Sequence, residues 1–177
     1  LSYARVGRKQ DFGLVPIAGL VEKILIETAP NTNVTVQKDI QVGQIFMGKT
    51  DGEMLFSALI SNAFKHGSIQ SKPVDDKHNP QNQIDIRVYK SDGYCCIETH
   101  DTGPGIPQEY RDKVLEPLAT LKPRDMVEGS GMGLAIVSKI ASVYGGFLSW
   151  HETQNKTGFR LSVHLPLHQQ LEMMDAT

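Results

Sequence analysis

Asp101-Thr102-Gly103-Pro104-Gly105-Ile106 stands between two different patterns. Before it, Tyr94-Cys95-Cys96-Ile97-Glu98-Thr99-His100 alternates as a strand does. After it, Pro107-Gln108-Glu109 reads as the first turn of a helix. A carboxylate at the end of a buried strand is costly unless something donates to it. Two glycines directly after it allow a sharp turn and leave room for a flat group against the main chain. An adenine ring satisfies both features, because its exocyclic amino group donates to a carboxylate, whereas guanine presents an acceptor there. An ordinary Asp-x-Gly turn between strand and helix is the plain alternative.

Working outward, Ile84 to Tyr89 also alternates, and Ser91-Asp92-Gly93 joins it to the Tyr94 strand as a β-hairpin. Upstream, Glu53 to His66 reads as a helix with Leu55, Phe56 and Leu59 as its apolar stripe. Asn62, Lys65 and His66 fall on neighbouring positions of its last turn, and Gly67 ends it. A solvent-facing amide and a cation favoured by the helix dipole account for Asn62 and Lys65 equally well. Ser68 to Gln83 reads as a long exposed loop in which Asp75, Asp76 and His78 have no fixed geometry for a metal.

Downstream, a short helix near Pro107 to Val114 gives way to Glu116 to Glu128, a charged segment with two prolines and no periodicity. It runs into Gly129-Ser130-Gly131-Met132-Gly133-Leu134 and a helix with apolar Leu134, Ile136, Val137, Ile140 and Val143. Glycines at a helix start expose amides whose dipoles attract phosphate. A dinucleotide fingerprint needs a strand directly before the glycines and a strand-end acid after them, and neither is present. A flexible hinge is the alternative. Phe147 to Trp150 and Phe159 to Leu165 read as a closing strand pair.

Towards the amino end, Leu1 to Gln10 reads as the frayed end of a helix closed off near Gly13. Pro16 sits where a helix can begin, with Ile17, Leu20, Val21, Ile24 and Leu25 at helical spacing up to Pro30. Asn33 to Gln37 reads as a strand. Gly43-Gln44-Ile45-Phe46-Met47-Gly48-Lys49-Thr50 matches the phosphate-loop pattern letter for letter. Ile45-Phe46-Met47 puts bulky apolar groups where such a loop must curl, so a short strand or core plug is the better reading.

Composition sets wider bounds. The 177 residues suffice for one domain with a sizeable core, and 40% hydrophobic with 21% charged residues is ordinary for a globular protein. A net charge of −2 gives no reason to expect a nucleic-acid surface. No apolar run reaches membrane-span length, and no signal peptide is visible. The only cysteines, Cys95 and Cys96, point to opposite faces of a strand, which disfavours a disulfide or a metal site and fits a reducing, cytoplasmic setting. The first residue is Leu1, consistent with a piece of something longer that is itself membrane-anchored or not.

Three segments, Asn62-Ala63-Phe64-Lys65-His66-Gly67, Asp101 to Ile106 and Gly129 to Leu134, resemble in order and spacing the N box and the two glycine boxes of sensor histidine kinases. The wider superfamily takes in gyrase, heat-shock chaperone ATPases and mismatch-repair ATPases. The likeness covers roughly Val15 to Pro166. It implies an α/β (α+β) two-layer sandwich of the Bergerat type, a mixed sheet of about five strands with three main helices on one face. It divides the chain into a dimerisation-helix tail at 1–12, an ATP-binding catalytic domain at 13–168 and a polar tail at 169–177.

The resemblance also implies roles. Asp101 takes the adenine amino group, with Gly103, Gly105 and Ile106 around the base. Asn62 gives its amide oxygen to Mg²⁺, while Lys65 and His66 lie near the phosphates. Gly129, Ser130, Gly131, Met132, Gly133 and Leu134 offer helix amides to them. Glu116 to Glu128 is similar to an ATP lid, with Lys122 and Arg124 as phosphate partners. Asn62, Lys65 and Arg124 are the catalytic candidates, and Thr157 is a candidate for the contact on the adenine side. ATP and Mg²⁺ are the implied cofactors. The implied partners are the dimerisation and phosphoacceptor helices of the same protein and a response regulator, in a homodimeric parent from which this fragment is separable as a monomer. None of the six histidines, His66, His78, His100, His151, His164 and His168, stands in a phosphoacceptor setting. The acceptor is therefore expected outside the sequence.

Three features depart from the family pattern. Ala58 stands four residues before Asn62, where ATP-hydrolysing members carry a Glu that activates water. The phenylalanine-rich box is reduced to Glu116-Pro117 between Leu115 and Leu118. Thr157-Gly158-Phe159 stands where relatives often place Ser or Thr after the glycine. The competing readings are a clamp-type ATPase, a nucleotide-binding module of this superfamily without kinase activity, and a phosphate-loop nucleotidase.

Overall fold

The structure is a computed structural model that describes residues 2–8, 11–28, 34–67, 83–118, 131–151 and 158–167. Its centre is the hairpin foreseen above. Strands β4 (Gln83–Ser91) and β5 (Tyr94–Asp101) pair antiparallel, with Ser91 opposite Tyr94, so the turn is Asp92-Gly93 alone. Both turn residues have positive φ, 50° and 81°, the twist-matched two-residue turn in which Asp-Gly is favoured. Strand β2 (Thr35–Ile40) adds parallel to β4, while β7 (Phe159–Pro166) and then β6 (Phe147–His151) add antiparallel beyond β5. The result is a mixed five-stranded sheet in the order β2-β4-β5-β7-β6.

Alternation along these strands gives the sheet two unlike faces. Ile84, Ile86, Val88, Cys95, Ile97, Leu161, Val163 and Leu165 enter one continuous core. Helix α3 (Lys49–Gly67) packs over β4 and β5 on that side, and α4 (Gly133–Val143) packs over β6 and β7. Helix α2 (Ile17–Thr28) lies against α3, burying Ile17, Leu20, Val21 and Ile24. This is the two-layer α/β sandwich with three main helices that the sequence led us to expect. The other face carries polar side chains. Ser162 donates to buried Glu98 over 3.2 Å, His151 Nε2 lies 3.0 Å from the Ser162 hydroxyl, and His164 Nδ1 lies 3.3 Å from Cys96 Sγ. Both cysteines are free and on opposite faces, as their adjacency requires.

The amino-terminal third departs from expectation in several places. The first helix, α1 (Ser2–Arg5), ends before Gly7, which adopts φ 72°; Gly13, expected to close it, lies inside a strand. That strand, β1 (Phe12–Pro16), was not anticipated and pairs antiparallel with β3 (Gln44–Gly48) in a separate two-stranded sheet. Strand β2 begins at Thr35 and runs to Ile40, three residues past its expected end. Helix α3 starts at Lys49, four residues earlier than read, because its first turn is covered by tertiary neighbours that no local pattern reveals. A Cβ at Gly52 there would stand 3.3 Å from Val15 Cγ1 and 3.5 Å from Met47 Sδ. The short helix near Pro107 is two 3-10 turns, Gln108–Tyr110 and Lys113–Leu115.

The phosphate-loop match is resolved against that chemistry. Ile45, Phe46 and Met47 are buried strand residues. The Gly48 amide donates to Tyr144 Oη over 2.9 Å and the Lys49 amide donates to the Asp11 carbonyl over 3.2 Å, so neither is left to curl round a phosphate. Lys49 Nζ pairs with Asp11 at 2.8 Å, out in solvent. Because Met47 is fully buried, Met47→Ala is expected to cost about 2–5 kcal/mol, read as a lower urea midpoint with unchanged slope. An unchanged midpoint would show that the segment is not core.

Candidate nucleotide site

Asp101 is the last residue of β5 and is 3% exposed. Its position is fixed by the sheet, opposite Ile84 on one side and Phe159 on the other. Removal from water raises its pKa to about 6, against the opposing effects of the Gly103 amide, the neighbouring His100 and the Phe159 amide. The Gly103 N–H donates to Oδ1 over 2.9 Å. The carboxylate is thus held by backbone at the end of a core strand, with burial as the dominant influence on its charge.

Glycines make the turn that follows. Gly105 has φ 74°, and a Cβ there would come 2.7 Å from the Gly158 carbonyl oxygen. Gly158 has φ 92° and donates its N–H to the Gly103 carbonyl over 2.6 Å, and a Cβ on it would collide with the Asp101 carbonyl. The lead-in to β7 therefore lies directly on the Asp101 loop, main chain against main chain. The other edge is tied by the Gln83 amide, which donates to Thr102 Oγ1 over 3.2 Å. Ile106 is half-buried against the core, and its carbonyl accepts from Arg111 Nε at 3.5 Å.

Two helix ends supply the remaining groups. Asn62 is half-buried near the carboxyl end of α3, with Lys65 and His66 exposed in the last turn. Helix α4 opens after Gly131 at φ 65°, with Met132 as its N-cap residue and no side chain capping it. The amides of Gly133 and its neighbours are therefore not claimed by a cap. Where a Cβ at Gly133 would stand, the Ala58 carbonyl of α3 is 4.0 Å away. Asn62 is one turn beyond Ala58, so the start of α4 lies beside the Asn62 end of α3. At its other end α4 is followed by β6, which begins opposite His164, at the edge of the sheet remote from the Asp101–Phe159 pair.

The structure thus places Asn62, Lys65, His66, Asp101, Gly103, Gly105, Ile106, Gly131, Met132, Gly133 and Leu134 on these elements, with Leu134 buried and Met132 half-buried. Lys122, Arg124, Gly129, Ser130 and Thr157 lie outside the described residues, as does the loop with Asp75, Asp76 and His78. Among the described residues, no group of three or more His, Cys, Asp or Glu is arranged to hold a metal. Gly158 and the Phe159 amide were missed as site components. The visible signal was a glycine just before a strand, which by itself marks only a turn.

Residues 50–169 match the family described as "Histidine kinase-, DNA gyrase B-, and HSP90-like ATPase". The chain belongs to that family. Within this ATPase family it is of the sensor histidine kinase type. It is 35% identical over 156 residues to the sensory histidine kinase/phosphatase NtrB of Rhizobium leguminosarum, a match covering 84% of this chain and 39% of that protein. The chain therefore spans about two fifths of that relative's length. Among solved structures, a mycobacterial sensor histidine kinase, MprB, superposes with a TM-score of 0.70 at 21% identity, covering 88% of this chain and 97% of that one. ShkA, solved full-length in complex with AMPPNP, gives a TM-score of 0.71 at 19% identity over 93% of this chain and 34% of its own. At those identities the likeness establishes the shared fold.

The buried carboxylate gives the site a pH signature. Burial raises the pKa of Asp101 to about 6, and an adenine amino group is best accepted by the ionised form. Were adenine to dock on Asp101, its binding would be complete above pH 7 and lost as pH falls through about 6. Adenosine, which has no phosphate to titrate, is expected to bind about tenfold more weakly at pH 5 than at its plateau, as followed by NMR titration. A flat profile between pH 5 and 7.5 would contradict that role for the carboxylate.

Proposed function

We propose that this chain binds Mg-ATP and donates the γ-phosphoryl group to a histidine outside the sequence, on the dimerisation helices of its parent protein, for relay to a response regulator. The single observation that carries the reading is the buried Asp101 carboxylate at the end of a core strand, in a turn where Gly105 and Gly158 pack main chain against main chain. Adenine would place its amino group on Asp101, with Gly103, Gly105 and Ile106 along the ring. The Asn62 amide oxygen would hold Mg²⁺, whose remaining positions suit phosphate oxygens and water. Lys65 and His66, the amides opening α4 at Gly131 to Leu134, and on the same reading Lys122, Arg124, Gly129 and Ser130, would meet the phosphates. Thr157 is proposed for the contact on the adenine side.

Phosphoryl transfer asks mainly for positioning and charge neutralisation. In the step proposed, the bond between the γ-phosphorus and the β,γ-bridging oxygen breaks and a nitrogen–phosphorus bond forms on the incoming imidazole. ADP leaves and the imidazole gives up its proton. Bound Mg²⁺ supplies neutralisation of the phosphate charge. What this chain would contribute is a firm hold on the base and a helix end facing the phosphates. Ala58 occupies the position one turn before Asn62 and offers no carboxylate to take a proton from water. The complex of ShkA with AMPPNP, an ATP analogue, supports the ligand class by likeness of fold.

Asp101→Asn is expected to weaken AMPPNP binding at least tenfold, because an amide donor then opposes the adenine amino group. Lys49→Ala should leave the constant within twofold, since that lysine pairs with Asp11 in solvent. Equal losses, or loss only with Lys49→Ala, would refute the site. Steady-state phosphate release by the chain alone should stay slow even when ATP saturates it. Vigorous turnover would favour a hydrolytic clamp instead.

A further inference from the structure

We infer that Asp51 is a positioning residue for the nucleotide site: from the far end of the α3–α4 pair it sets how Asn62 stands relative to the first turn of α4. The inference rests on the nucleotide reading above and concerns a group that never meets the ligand.

Asp51 lies in the first turn of α3 and is fully buried. Its Oδ2 accepts from Tyr144 Oη at 2.9 Å and from the Gly7 amide at 3.2 Å. Tyr144 is the C-cap residue of α4, and its hydroxyl in turn accepts from the Gly48 amide at the end of β3. Three pieces of chain therefore meet around one carboxylate: the segment after α1, the junction of β3 with α3, and the end of α4. The first turn of α3 meets the last turn of α4 here, and Ala58 meets Gly133 at the other end, so the helices run antiparallel. One end of the pair is clamped by Asp51 and Tyr144, and the other presents Asn62 and the uncapped amides.

Between those ends the helices touch through apolar side chains such as Leu55, Leu59, Leu134 and Val137. Such packing is non-directional. Hydrogen bonds to a buried carboxylate are directional and specify one arrangement. The leverage is considerable: α4 is about 16 Å long, so a tilt of about 4° at the clamp moves its first turn by about 1 Å. An error of that size is enough to spoil a positioned contact.

The amino-terminal segment braces the same joint. Val6 is in the core, Lys139 Nζ donates to the Tyr3 carbonyl at 2.8 Å and lies 4.3 Å from the centre of the Tyr3 ring, and Gly7 leaves no room for a Cβ, which would stand 2.9 Å from Val143 Cγ1. Asp101, by contrast, is held by strand pairing with Ile84 and Phe159 and by the Gly103 amide, none of which is on α3 or α4. Loosening the clamp should therefore disturb the grip on metal and phosphates while sparing the base.

The test uses Tyr144→Phe, which keeps the ring and removes the hydroxyl, alongside Asp51→Asn. For each, dissociation constants for Mg-AMPPNP and for adenosine are measured with the thermal midpoint. The inference expects the Mg-AMPPNP constant to rise about tenfold while adenosine stays within twofold. A residue that merely stabilises the fold would weaken both ligands alike or lower only the midpoint, and either outcome overturns the inference. Should Asp51→Asn fail to fold, Tyr144→Phe decides alone. Should the unaltered chain bind neither ligand, the nucleotide reading fails instead. The clamp is then judged by hydrogen exchange at Gly133 to Val137: faster exchange in Tyr144→Phe supports it, and unchanged exchange refutes it.

Discussion

A carboxylate taken out of water at the end of a core strand is the constraint on which the rest of this structure turns. Isolated in an apolar interior, such a group is too costly to keep ionised. Here the Gly103 and Phe159 amides reduce that cost without removing it, and burial still dominates. Reaching those donors requires the chain to double back tightly over Asp101. That in turn requires hydrogen in place of a side chain at Gly105 and Gly158, where a Cβ would meet backbone atoms that cannot move aside. The glycines near Asp101 thus let the loop close.

The sheet and helices extend that logic outward. Alternate residues along the strands fill one face with mostly aliphatic side chains, and three helices cover it. The other face is given to Glu98, Ser162, His151, His164 and Cys96, which bond among themselves. Burial pushes the Cys95 thiol on the core side up to about 12 and lowers the His164 pKa on the other, so neither is charged at neutral pH. With the core one-sided, the helix ends come out at the sheet's edge. A site can then be assembled from an acid on the sheet, an amide-bearing residue on α3 and bare amides on α4. Topology brings the start of α4 beside Ala58 of α3, one turn before Asn62.

Much of this was legible because the signals were local. Asp92-Gly93 between alternating runs specified the hairpin, the spacing of Ile17, Leu20, Val21 and Ile24 specified α2, and bulky Ile45-Phe46-Met47 ruled out a phosphate loop despite a full pattern match. What escaped was set by partners distant in the chain. Strand β1 is five residues long, contains Gly13 and ends in Pro16, so it has little strand character apart from its pairing with β3. The first turn of α3 escaped because Asp51 and Gly52 look like a turn until Tyr144, Gly7, Val15 and Met47 surround them. Gly158 escaped for the same reason, since its neighbours Asp101 and Gly103 are more than fifty residues earlier.

The account stands or falls on where a purine sits. A crystal structure of the chain with AMPPNP and Mg²⁺ would show it directly. The account predicts the adenine amino group within hydrogen-bond distance of the Asp101 carboxylate, and the triphosphate running between Asn62 and the first turn of α4. Density for the base anywhere else, or for the phosphates against Gly48 and Lys49, would contradict it.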